Sequence, residues 1–139
     1  MFRTGYACEP EPWTPRPVKI VAIVQARMGS ARFPRKVMRE IGGIPLIGFL
    51  LERLSRSRLL DQIVMATSSN SENDTLARYV SLLGYAVYRG SETDVLDRYF
   101  RAATSADADV IVRITGDCPF VDPVLVDLVI ESFQETSVD

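Results

Sequence analysis

The sequence predicts an α/β fold whose core is a doubly wound, mainly parallel sheet. Three observations carry this. Short β-branched runs alternate with segments of helical periodicity, glycine and proline fall at the joints, and each strand run opens into a polar or glycine-rich loop. Residues 18–24 (VKIVAIV) are almost continuously apolar, as suits a strand covered on both faces. Residues 45–57 place Leu46, Leu50 and Leu54 at i, i+4 and i+8, an amphipathic helix with Pro45 in its first turn. A strand follows over 62–66, then a helix over 73–83 closed by Gly84 as its C-cap, and a strand over 85–89. The remaining elements are a helix over 94–105, a strand over 109–114, and a helix over 123–133 with Pro123 at its start. Four strands and four helices in strict alternation imply right-handed crossovers between parallel strands.

Composition narrows the chemistry. The 139 residues contain no histidine, which excludes within this chain a Ser-His-Asp triad, a Cys-His dyad and a histidine-ligated zinc or iron site. Cys8 and Cys118 are too few for a disulfide framework, and a cytoplasmic setting follows from that usage. Residues 1–17 hold four of the eight prolines and read as an irregular extension without the apolar stretch of a signal peptide. No run approaches the ~20 apolar residues of a membrane span, so no membrane partner is expected.

The net charge of −2 conceals two unlike halves. Residues 1–60 carry +7 and residues 61–139 carry −9, which suits an anionic ligand on one side and a divalent cation on the other. A nucleic-acid face is disfavoured because no aromatic residues interleave with the cations.

In open α/β sheets ligands bind beyond the carboxyl ends of the strands. The first such loop runs from Gln25 and Ala26 through Lys36. Gly29 and Ser30 offer backbone N–H groups, while Arg27, Arg32, Arg35, Lys36 and Arg39 concentrate five cations, a set matched to phosphate oxygens. It fits neither the P-loop nor the dinucleotide fingerprint, and a solvated basic loop is the plainer alternative. The second loop begins at Thr67 and the third holds Gly90 and Ser91. The fourth presents Asp117, either as a Mg²⁺ ligand alongside substrate phosphates or as a cap of the turn before Pro119. Asp122 reads as the N-cap of the last helix. Asp94 and Arg98 form an i, i+4 pair, Arg113 faces the site or an edge, and Cys118 reads as a small buried residue.

Four ordered segments, residues 25–36 (QARMGSARFPRK), 41–46 (IGGIPL), 89–99 (RGSETDVLDRY) and 113–119 (RITGDCP), resemble the SpsF-type (spore coat polysaccharide biosynthesis) branch of the cytidylyltransferases. The resemblance covers 18–139 as the N-terminal nucleotide-binding part of such a domain and leaves out the extension. It implies a nucleotide-diphospho-sugar transferase-like fold. The activity it implies is Mg²⁺-dependent transfer of a cytidylyl group from CTP to a sugar acid, giving a CMP-sugar and pyrophosphate. On this sequence it implies Arg27, Lys36 and Asp117 as catalytic residues, Asp117 as the metal ligand, and Gln25, Ala26, Arg27, Gly29, Ser30, Arg32, Lys36, Thr67, Gly90 and Ser91 around the nucleotide. A homodimer is implied for the full-length domain.

Sheets of this type usually carry about six strands, whereas four are read here. The chain is therefore expected to be a fragment or to be completed by a partner. A non-catalytic nucleotide-binding module and a nucleotidyltransferase of other base specificity are the alternatives.

Overall fold

The most apolar segment lies at the centre of the sheet. Strand β1 (Ile20–Gln25) is flanked by parallel partners on both sides, and Ile20 to Val24 are all buried. The computed structural model describes residues 16–29 and 33–136. Beyond β1, the sheet is built from β4 (Gln62–Ser68), β5 (Ala86–Gly90) and β6 (Val110–Thr115), in the order β5-β4-β1-β6 and parallel throughout. Strand order runs outward from β1 in both directions, to β4 and β5 on one side and to β6 on the other, which places a topological switch at the carboxyl end of β1, where ligands sit in this architecture.

Helices cover both faces unequally. Alternate β1 residues Ile20, Ala22 and Val24 meet α1 (Leu46–Leu54), α2 (Asp74–Leu82) and α4 (Pro123–Glu135), whereas Val21 and Ile23 meet α3 (Val95–Ser105). In α1 the buried stripe is Ile47, Leu50, Leu51 and Leu54, which includes the predicted Leu50 and Leu54, whereas Leu46 is only half-buried. Leu50, Leu51 and Leu54 are each fully enclosed, and truncation of one to alanine would cost about 2–5 kcal/mol. The small residues Ala102 and Ala103 of α3 and its C-cap Ala106 let that helix lie close against β1 and β4.

The predicted elements are present with ends moved by up to three residues. Gly84 closes α2 with φ +88°, and Asp122 caps α4 by accepting from the N–H groups of Val124 and Leu125. The sequence reading missed short elements, among them a hairpin with a two-residue turn between β2 (Glu40–Ile41) and β3 (Ile44–Pro45). Its turn needs positive φ at both central positions, which Gly42 (+59°) and Gly43 (+85°) supply.

Two local expectations are corrected. Asp94 does not pair with Arg98; its carboxylate accepts from the N–H of Asp97 as an N-cap, Asp97 pairs with Arg101 at 2.8 Å, and Arg98 turns inward. Cys118 is exposed, because it lies in the turn after β6 with only the Thr115 hydroxyl at 3.1 Å.

The β6 side of the sheet stays open among the described residues. β6 pairs only with β1, its burial alternates, and Leu125, Leu128, Val129 and Phe133 of α4 are about half exposed or more. No helix among the described residues is long and apolar enough to cross a membrane.

Candidate functional site

Four strand ends form one rim, and backbone hydrogen bonds lock their loops together. The Ala26 N–H donates to the Ala66 carbonyl, the Ser69 N–H to Gly90, and the Gly116 N–H to Gln25 at 2.7 Å. Gly116 is buried against β1, where an added Cβ would sit 2.7 Å from both the Ala26 Cβ and the Gln25 carbonyl oxygen. Only glycine permits that approach, and it brings the fourth loop onto the first.

The consequence is a contact across the rim. Lys36 Nζ lies 2.5 Å from Asp117 Oδ2, with both side chains partly exposed. The Lys36 hydrogen bond holds the Asp117 carboxyl below the usual carboxylate range, with further help from the lysine's charge and the Thr115 hydroxyl against a desolvation penalty. A second cation is paired likewise: Arg27 Nη1 donates to Glu92 Oε1 at 3.0 Å. The Ser68 hydroxyl is the largest influence lowering the Glu92 pKa, followed among the lowering groups by Arg27 and then Arg98.

The first loop is held from below by a buried asparagine. Asn73, fully enclosed, accepts from the Met28 N–H through Oδ1 at 2.8 Å and donates from Nδ2 to Ser68 Oγ at 2.9 Å. The Arg35 N–H donates to the Met28 carbonyl, with Arg35 at φ +57°, so the backbone returns on itself before the short helical turn at Lys36–Met38. Arg89 secures the second loop by donating to the carbonyls of Ser68, Ser69 and Asn70, and it pairs with Asp74 at 2.6 Å.

Of the residues named from the sequence, Gln25, Ala26, Arg27, Gly29, Lys36, Gly90, Ser91 and Asp117 lie at the strand ends or in the loops that leave them. Ser30 and Arg32 lie outside the described residues, as do residues 1–15 of the extension. Thr67 is entirely buried, and its hydroxyl has no hydrogen-bond partner among the described residues. Arg39 stacks on Phe33, 4.9 Å from the ring centroid, and Arg113 stacks on Tyr99 at 5.0 Å. Sequence reasoning did not find Asn73, Arg89 or Glu92. Asn70 and Asn73, close behind a strand end, were the available signal for the buried asparagine.

Among the described residues the rim therefore presents Arg27 and Lys36, each beside a carboxylate. A polyanion would find forked and point charges there. A cation shared with that polyanion would find Asp117. Among the described residues no cluster of three metal-ligating side chains occurs.

SpsF, the spore coat polysaccharide biosynthesis protein of Bacillus subtilis, is 42% identical over 117 residues, covering 81% of this chain and 49% of its own length. The 3-deoxy-manno-octulosonate cytidylyltransferase of Trichlorobacter lovleyi is 33% identical over 117 residues, covering 84% of this chain and 45% of its own. Among solved structures, a cytidylyltransferase from Leptospira borgpetersenii superposes with a TM-score of 0.82 at 37% identity, over 86% of this chain and 50% of that one. The chain thus spans about half the length of the curated relatives it matches. The Cytidylyltransferase family matches residues 21–139, nearly all of the sheet and helices described above, and the chain belongs to that family, on its SpsF-type branch.

Proposed function

We propose that this chain forms the CTP-binding half of a cytidylyltransferase that moves a cytidylyl group onto a sugar acid for cell-surface polysaccharide synthesis. The observation that carries the reading is the meeting of Lys36 and Asp117 at the carboxyl end of β1. It sets a phosphate-binding cation beside a carboxylate kept ionised. In the reaction, a sugar oxygen forms a bond to the α-phosphorus while the bond from that phosphorus to the bridging oxygen breaks and pyrophosphate leaves. Such a displacement needs positioning and charge neutralisation rather than a protein nucleophile, so a chain without histidine suffices.

Arg27 and Lys36 would hold the triphosphate, with Lys36 stabilising the charge that grows on the leaving pyrophosphate. Amides of the Gly29 loop would add donors to the phosphate oxygens, and Gly90 and Ser91 would border the nucleotide. Asp117 would hold Mg²⁺ together with the phosphates. When bound, that ion polarises the α-phosphate and neutralises charge. The full-length enzyme would act as a homodimer.

The test is thermal unfolding with CTP, with and without Mg²⁺. Saturating CTP at ~100 times its Kd would stabilise the chain by about 2.7 kcal/mol. The expected result is an upward shift of several degrees that needs Mg²⁺ and is lost in Lys36→Ala and Asp117→Ala. No shift with CTP and Mg²⁺ overturns the reading. Pyrophosphate release with a panel of sugar acids then separates turnover from binding alone.

A further inference from the structure

Among the described residues Arg98 is the largest fully buried side chain, 1% exposed, and it makes no ion pair with any of them. Its Nη1 donates to the carbonyl oxygens of Ser91 and Glu92, while Nε and Nη2 have no partner among the described residues. Burying a guanidinium costs several kcal/mol, and among the described residues no carboxylate touches this one, although its charge acts on Glu92. A methionine of similar length would fill the space without that cost, so packing alone does not account for an arginine here.

What the guanidinium grips is the loop that leaves β5. That loop carries Glu92, whose Oε1 accepts from Arg27 at 3.0 Å and whose Oε2 accepts from Asn70 Nδ2 at 3.4 Å. Glu92 thus joins the first, second and third loops of the rim, and Arg98 is the support beneath it. Gly90 completes the fit, since a Cβ there would lie 2.8 Å from the Tyr88 ring and 3.5 Å from Arg98 Cγ.

We propose that Arg98 is a positioning residue for nucleotide binding: it fixes the Ser91 and Glu92 carbonyls so that the Glu92 carboxylate holds Arg27 at the crevice. This rests on the CTP-binding reading above. Glu92 orients one edge of the Arg27 guanidinium and leaves its other donors for phosphate oxygens, since a guanidinium has five N–H groups in a fixed fork. The loop acts through Arg27 and needs no contact of its own with the reacting atoms.

The experiment measures CTP affinity by calorimetry, with Mg²⁺, for the parent chain, Glu92→Gln, Arg98→Met, Arg98→Lys and the Glu92→Gln/Arg98→Met double variant. Glu92→Gln and Arg98→Met are each expected to weaken binding roughly tenfold, about the effect of one lost hydrogen bond. The double variant should bind no more weakly than the worse single one, because both act by one route. Arg98→Lys, which keeps the charge and one point of donation, should recover part of the loss; a purely structural role would not show that recovery or that non-additivity. Glu92 is at the surface, so Glu92→Gln remains informative if Arg98→Met does not fold. Unchanged or tighter binding in Glu92→Gln overturns the proposal, because Glu92 would then be idle or a competitor for Arg27. Additive losses overturn it as well. Failure of the parent chain to bind CTP would instead strike the functional reading itself.

Discussion

Lys36 and Asp117, 81 residues apart in sequence, meet at 2.5 Å between the loops that follow β1 and β6. Partly exposed pairs of this kind contribute about 0–1 kcal/mol to stability. Lys36→Ala should therefore leave the unfolding midpoint within about 3–4 °C of the parent while greatly weakening CTP binding. Circular-dichroism melts and a binding titration on the same sample check this. A large fall in stability with binding intact would assign the pair a structural role only.

Gly116 is what lets those loops meet. Gly116→Ala places a methyl group 2.7 Å from the Ala26 Cβ and the Gln25 carbonyl, backbone that cannot yield cheaply. A loss of about 1–3 kcal/mol is expected in urea unfolding, accompanied by weaker CTP binding as Asp117 is displaced. A neutral substitution would show that β6 moves freely against β1.

Asn73 supports the first loop from inside. Asn73→Ala leaves the buried Met28 N–H without its acceptor and should cost about 1–3 kcal/mol. Hydrogen exchange should quicken at Met28 more than at Ile23 in the middle of β1. Uniform acceleration would mean that the residue stabilises the whole sheet rather than the loop.

Asp127 gives the acid limb of stability a named source. It is buried in α4, and accepts from the Ser57 hydroxyl at 2.5 Å and from the Arg58 and Leu59 N–H groups. Burial, the largest single influence, raises its pKa, but the Ser57 hydroxyl, those two amides and the Arg58 charge together outweigh it and hold it low. A carboxyl whose folded pKa is depressed contributes stability above its unfolded value, about 3.9, and loses it as pH falls through the folded value. The stability gap between the parent and Asp127→Asn should be full at pH 7 and should close progressively below about pH 4. A gap that stays constant down to pH 2 would show that the carboxylate charge is not what α4 uses.

Much of this was legible in the sequence because it depends on neighbours in the chain. The continuous apolar run of β1, the glycine after α2 and the Asp122-Pro123 start of α4 each follow from local rules, and each appears where expected. The first loop's cations, Lys36 among them, were visible too, and Asp117 stood out in the fourth loop as either a Mg²⁺ ligand or a turn cap, whereas their contact was not foreseen. Residues whose role depends on distant partners were not legible. Arg98 satisfied an i, i+4 rule with Asp94, yet the fold turns it under the Ser91–Glu92 carbonyls. Glu92 read as an ordinary polar loop residue and Asn73 as the start of a helix until three loops closed around them. Cys118 was read as a small buried residue because no histidine is present to activate it, but it lies in the turn after a strand at the open edge of the sheet and is exposed.

The most direct test of the central claim is calorimetric titration of this chain with CTP, UTP, GTP and ATP in the presence of Mg²⁺. Saturable binding of CTP, tighter than that of the other three and abolished by Lys36→Ala, is the expected result. Absence of binding, or equal binding of all four nucleotides unaffected by Lys36→Ala, would contradict it.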